Sequence, residues 1–157
     1  MTALVVPDYR ELGEQLASQR AGRTLALANG CFDIIHVGHV RLLREAASAA
    51  DLLVVALNTD DSVRRNKGSG RPHITLTERM EIIAALEGVY AVTSFPDSTA
   101  EKLLEALRPD VHVKGTDWTE DTVPERATVE AYGGRILIAG DDKTHSSTKL
   151  IEKQRGE

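Results

Sequence analysis

Cysteine is almost absent from this chain. Cys31 is the one copy in 157 residues, so no internal disulfide framework can form and a reducing, cytoplasmic setting is expected. Long apolar runs are missing as well. None approaches the roughly 20 residues that span a bilayer, and "MTALVVPDYRELGEQL" lacks the basic start and extended apolar core of a signal peptide. No membrane partner is therefore expected. Nor is there an excess of positive charge: 19 Lys and Arg against 24 Asp and Glu leave a net charge of −5 and a pI near 5.6. That balance argues against nucleic acid as a partner, while leaving room for a local basic pocket. There is no internal repeat, no low-complexity tract, and no HExxH or comparable set of metal ligands, so no dedicated metal site is expected.

What remains is an ordinary globular composition, 41% hydrophobic and 27% charged, at a length suited to one domain. Residues 1–22 read as an N-terminal helical extension, with Leu12 and Leu16 on one face of a helix over 9–19. Short apolar runs then alternate with helical patterns. Strands are predicted at 24–28, 52–58, 90–95, 110–115 and 135–140. Helices are predicted from Gly38 to Ala50, after a Thr77 cap, after Thr99, after Pro124 and over the last residues, where Ser146 or Ser147 caps. The stretch "RRNKGSGRPHI", with Arg64, Arg65, Lys67 and Arg71, reads as a mobile loop. Such alternation implies βαβ units: an α/β, Rossmann-like doubly wound sandwich with about five parallel strands and helices on both faces. Ligands of such sheets bind beyond the carboxyl ends of the strands.

The most unusual stretch, "NGCFDIIHVGH", lies between the first of these strands and the first long helix. Two histidines at i, i+3 could share a metal, but no third ligand follows at a familiar spacing. Packing explains a lone histidine well, and two around a glycine at a helix start poorly. The free N–H groups and positive dipole end of the helix favour phosphate.

These residues resemble the HxGH signature of the cytidylyltransferase-like nucleotidyltransferase superfamily. Five ordered blocks carry the likeness: "NGCFDIIHVGHVRLL", "VVALNTDDSVRRNKGSGRP", "ERMEIIAALEGVYAV", "RPDVHVKGTDW" and "SSTKLI". Within the superfamily they are most similar to the adenylyltransferase domain of bacterial ADP-heptose synthases. Thr116 and Trp118 stand where that branch has glycine and tyrosine, and "FPDSTA" replaces an acidic pair followed by Thr-Pro.

The resemblance implies transfer of AMP from ATP, carried with Mg²⁺, to a sugar 1-phosphate, D-glycero-β-D-manno-heptose 1-phosphate, with release of pyrophosphate. A CTP-dependent cytidylyltransferase for glycerol phosphate or another alditol phosphate uses the same motif, and a nucleotide-binding module without turnover is a third reading. It also implies a homodimer. In 157 residues no room is expected for the sugar-kinase domain of bifunctional relatives. The catalytic residues it implies are His36, His39 and Lys67. Cys31, Phe32, Gly38, Asp117, Ser146, Ser147 and Thr148 join the histidines around the nucleotide. Asp33, Lys67, Arg71, Arg79 and Lys114 are assigned to the phosphorylated acceptor, with Arg79 alternatively on an exposed helix face. A sugar phosphate is already largely ionised at neutral pH, its second pKa being about 6. The chemistry therefore needs charge stabilisation more than a strong base, and no step needs Cys31 as a nucleophile.

Overall fold

The computed structural model describes residues 2–141 and 147–154. In chain order the elements are β1 (Leu4–Asp8), α1 (Tyr9–Gln19), β2 (Leu25–Gly30), α2 (Val37–Ser48), β3 (Leu52–Asn58), α3 (Asp60–Lys67), α4 (Leu76–Ala84), β4 (Ala91–Phe95), α5 (Glu101–Leu107), β5 (Val111–Lys114), α6 (Arg126–Ala131), β6 (Arg135–Ile138) and α7 (Ser147–Gln154). Six strands form one sheet in the order β1-β4-β3-β2-β5-β6, all paired in parallel.

The expected doubly wound α/β architecture is present, with one strand more than predicted. β1 comes from the segment read as a helical extension: Leu4 and Val5 align with Ala91 and Val92 at the sheet edge. Its short length and the proline at position 7 hid it, since proline is tolerated on an edge strand where one side makes no ladder.

β3 shows how the sequence makes two cores. All seven residues are buried, and alternate side chains go to opposite faces. Leu52, Val54 and Ala56 join Leu12 and Leu16 of α1, Leu103 and Leu104 of α5, and Val129 of α6. Leu53, Val55 and Leu57 meet Leu43 and Ala46 of α2 and Met80 and Ile83 of α4. Winding runs outward from β2 to β3 and β4, then crosses back to β5 and β6 on the other side of β2. The reversal opens a crevice at the carboxyl end of β2.

Three local readings change. Arg64, Arg65 and Lys67 belong to α3 rather than to a loop. Thr59 caps it through a hydrogen bond from the Ser62 amide, Asp60 and Asp61 occupy the first turn, and the cations fill the last, the order the helix dipole favours. Thr75, two residues before the predicted Thr77, caps α4 by accepting from the Glu78 amide. Thr99 caps nothing: α5 begins at Glu101 without a side-chain cap of its own, and the Ala100 amide donates to Glu125 instead.

Candidate active site

The carboxyl ends of β2, β3, β4 and β5 border a cavity of about 530 Å³. Its floor is Asn29, Gly30, Asn58, Phe95 and Val113. His36 and His39 stand on the α2 side, Asn66, Lys67 and Arg71 on the α3 side, and Lys114, Asp117 and Trp118 beyond β5. The wall opposite α2 is Ser98, Thr99, Ala100, Pro124 and Glu125. The strand ends thus bring His36, His39, Lys67, Arg71, Lys114, Asp117, Cys31, Phe32 and Asp33 to one cavity, although the Asp33 carboxylate, assigned to the acceptor from sequence, is buried and bound to Arg71 and two amides instead. Ser146 and the side chains of Ser147 and Thr148 lie outside the described residues.

The two histidines cap the helix that carries them. Nδ1 of His36, the N-cap residue, accepts from the Gly38 amide at 3.1 Å, and Nδ1 of His39 accepts from the His36 amide at 3.3 Å. Their rings stack with centroids 3.9 Å apart, and His39 also packs on Phe32 at 5.1 Å. An Nδ1 that accepts an N–H is unprotonated, so the neutral rings carry their protons on Nε2. Each imidazole therefore brings an Nε2–H donor to the cavity wall, next to a helix N-terminus. Gly38 acts differently from expectation, since its N–H serves the His36 cap.

The loop before the histidines is held under strain. Phe32 has φ 49°, a left-handed conformation that costs a non-glycine residue about 1–2 kcal/mol. Its ring folds back over Gly30, where a Cβ would come within 3.3 Å of it. Two anchors fix this shape. On one side is Asp33, 1% exposed. Its carboxylate accepts from Arg71 Nε at 2.6 Å, the His73 amide at 2.8 Å and the Ile74 amide at 3.0 Å. Burial opposes ionisation of Asp33, but Arg71 and the two amides outweigh it and hold the carboxyl below its usual range. Asp33 thus positions Arg71 and ties residues 71–74 to the histidine loop.

The second anchor is Arg79, and here the acceptor-binding expectation is corrected. Its side chain is fully buried, neither on an exposed helix face nor on the cavity surface. Nε donates to Ile74 O at 2.9 Å, Nη1 to Cys31 O and Asn58 O at 2.7 and 2.8 Å, and Nη2 to Asp60 at 2.6 Å. These bonds lock the ends of β2 and β3 and the start of α3 together behind the cavity wall.

Cys31 is a thiol rather than a thiolate: burial pushes its pKa up against the opposing pull of Lys67, Arg79 and Arg71, consistent with its exclusion as a nucleophile. Lys114 lies with Nζ 5.3 Å from the centre of the Trp118 ring. Behind the floor, His112 is fully buried and its Nε2 meets Asn29 Oδ1 at 2.8 Å. Burial, with a smaller push from Lys114, drives its pKa down to about 3, so it stays neutral.

The sequence reading missed Asn29, Asn58, Asn66, Phe95, Ser98, Thr99 and Glu125 as cavity residues. Asn29, Asn58 and Phe95 carried one signal, placement at the carboxyl ends of predicted strands, and Ser98 and Thr99 follow such an end within a few residues; Asn66, in α3, carried none. Glu125 carried little, because an acid at a helix start reads simply as dipole compensation.

Comparison with known proteins places this geometry among relatives. Residues 27–154 match the family described as cytidylyltransferase-like. The chain is 47% identical over 146 residues to the D-beta-D-heptose 1-phosphate adenylyltransferase of Bordetella bronchiseptica, covering 92% of this chain and 90% of that protein. It is 45% identical over 135 residues to the bifunctional protein HldE of Syntrophotalea carbinolica, covering 86% of this chain but 28% of that protein. A lipopolysaccharide core biosynthesis protein from Thermoplasma volcanium superposes with a TM-score of 0.65 at 26% identity, over 77% of this chain and all of that one.

Proposed function

Because the chain belongs to the cytidylyltransferase-like family, we propose that it transfers AMP from ATP to a sugar 1-phosphate, D-glycero-β-D-manno-heptose 1-phosphate, and releases pyrophosphate. The observation that carries the reading is the pair of Nδ1-capped imidazoles at the α2 N-terminus, facing a cavity that Lys67, Arg71 and Lys114 also line. The full-length likeness to a heptose 1-phosphate adenylyltransferase supports the choice of acceptor.

In this reaction an oxygen of the acceptor phosphate attacks the α-phosphorus of ATP. The bond from that phosphorus to the bridging oxygen of the β-phosphate breaks, and pyrophosphate leaves with the electron pair. The acceptor is already ionised, so no proton has to be removed. His36 and His39 donate Nε2–H bonds to α-phosphate oxygens as charge gathers there. Lys67, at the end of α3, and Arg71, oriented by Asp33, neutralise the phosphates on the opposite side. The two imidazoles and Arg71 are fixed by the fold before substrate arrives, which is what electrostatic stabilisation of a transition state requires. Asp117, in the connection after β5, is the residue for the nucleotide's ribose or base side, and the Ser146-Ser147-Thr148 box is assigned to its distal phosphates.

Among the described residues no group of three or more His, Cys, Asp and Glu is arranged to hold a metal ion. Mg²⁺ is expected to arrive with the triphosphate, bound mainly by its phosphates and water, and Asp117 is the carboxylate in the cavity that would add to its ligands. When bound, the ion would supply neutralising charge to the departing pyrophosphate. The resemblance also supports a homodimer, for which light scattering would give about twice the 17.1 kDa chain mass.

The test is pyrophosphate release from ATP and CTP, each crossed with heptose 1-phosphate, glycerol phosphate and ribitol phosphate. Turnover is expected with ATP and the heptose phosphate. Preference for CTP with an alditol phosphate would replace this reading by the cytidylyltransferase one. Tight nucleotide binding without turnover for any pair would leave a binding module.

A further inference from the structure

Glu125 is a buried carboxylate that the reaction above does not use. It is 5% exposed and belongs to the cavity wall. Oε1 accepts from the Ala100 amide at a long 3.3 Å. Oε2 is buried with no hydrogen-bond partner among the described residues, and no cation forms an ion pair with the carboxylate there. A buried acid this poorly compensated is unfavourable and calls for an explanation. Helix capping is not one, since the side chain makes no cap hydrogen bond to α6. The connection after β5 instead carries Glu125 back to the start of α5, beside Ser98 and Thr99.

Glu125 meets the start of α5, the helix that follows β4, whereas the histidines stand at the N-terminus of α2, the helix that follows β2; β4 and β2 are two places apart in the sheet. Two strand spacings are about 10 Å, the span of a phosphorylated sugar ring whose phosphate sits at the HxGH end. The base side of the nucleotide is assigned to Asp117 and its distal phosphates to the start of the last helix. What this wall offers a ligand is an acceptor without a donor, with two hydroxyl side chains alongside. Such chemistry suits a hydroxyl-rich molecule and works against another phosphate.

We propose that Glu125 recognises the acceptor sugar, its carboxylate taking a hydrogen bond from a ring or side-chain hydroxyl. The assignment rests on the sugar-phosphate reading above and adds the residue that tells a polyhydroxylated acceptor from a simpler phosphate. The same chemistry would fit the ribose of the nucleotide, so the two substrates are titrated separately.

The experiment is steady-state pyrophosphate release by wild type and Glu125→Gln, varying heptose 1-phosphate and ATP in turn, with thermal unfolding of both. Gln keeps the size and removes the charged acceptor. The KM for heptose 1-phosphate is expected to rise about tenfold or more, the scale of a hydrogen bond to a charged group. kcat and the KM for ATP are expected to stay within about threefold of wild type. A rise confined to the KM for ATP would move the contact to ribose and overturn the assignment. Unchanged kinetics, or tighter acceptor binding once a charge that repels phosphate is gone, would also overturn it. Wild type alone supplies a second measurement should the variant fold poorly: singly deoxygenated heptose 1-phosphates. One of them should lose about tenfold in kcat/KM, and equal kcat/KM across the set would refute the contact. If wild type turns over no sugar 1-phosphate, the functional reading falls and this inference with it. If it does and Glu125→Gln matches it, only the inference falls.

Discussion

Replacing Arg79 separates a phosphate ligand from a structural clamp. The guanidinium donates to three backbone carbonyls and to Asp60, and none of it is exposed. Arg79→Leu keeps apolar bulk and leaves those four acceptors to find other donors in a buried space. Simple addition would overstate the cost, because the bonds share one group and water can enter. Asp60 is half-exposed and can be solvated, so the cost lies in the three carbonyls, each costing about 1–3 kcal/mol when left unsatisfied, or about 3–5 kcal/mol in all once water enters. For a domain of this size, about 2–4 °C of Tm follows each kcal/mol. The expected drop is therefore about 6–20 °C, readable by circular dichroism. Arg79→Lys should fall in the same direction, since a single ammonium cannot reproduce the planar fork. Turnover should decline in both, because Cys31 O is released and the strained Phe32 loop loses an anchor. The reasoning is refuted if Arg79→Lys melts within about 2 °C of wild type while the KM for ATP or acceptor rises. That outcome would return Arg79 to the substrate.

Three further outcomes follow from the cavity and its floor. His39→Ala should lower kcat by about 10²–10³-fold, the scale of losing a preorganised donor to a developing charge. His36→Asn should lose comparable activity yet keep the helix cap, so its Tm should stay near wild type while His36→Ala loses about 1 kcal/mol of capping. A sharp fall in Tm for His39→Ala with activity preserved below the transition would make the pair a packing feature. For His112, the unfolded pKa of about 6.5 lies above a native value of about 3. Between those values the unfolded chain binds a proton that the native chain refuses, so stability rises with pH across that window. Integrated over the window, the effect is about 5 kcal/mol. His112→Leu should flatten the dependence in urea melts between pH 7 and 5. An unchanged acid slope would mean that His112 does not govern it.

Several of these features could be read without coordinates. Alternating apolar runs and capped helices give a parallel α/β sheet because periodicity reports burial on one face or two. "LLVVALN" matches β3 to the residue, and the HxGH box falls where a strand meets a helix. The α3 helix was read as a loop, although Thr59, the acids of its first turn and the cations of its last mark it. It was obscured by the glycines and proline that follow.

What the sequence by itself determined is the set of chemical groups and their placement after strands, since these depend on local pattern and chain order. Tertiary structure decided which groups face the cavity and which hold it in shape. Arg71 and Arg79 are equally basic in the sequence. One reaches the cavity because Asp33 turns it there, and the other is consumed by carbonyls that three separate segments bring to it. Glu125 meets the start of α5, 25 residues earlier in the chain, through folding alone. Burial and hydrogen-bond satisfaction arise from segments distant in sequence, and no local pattern encodes them.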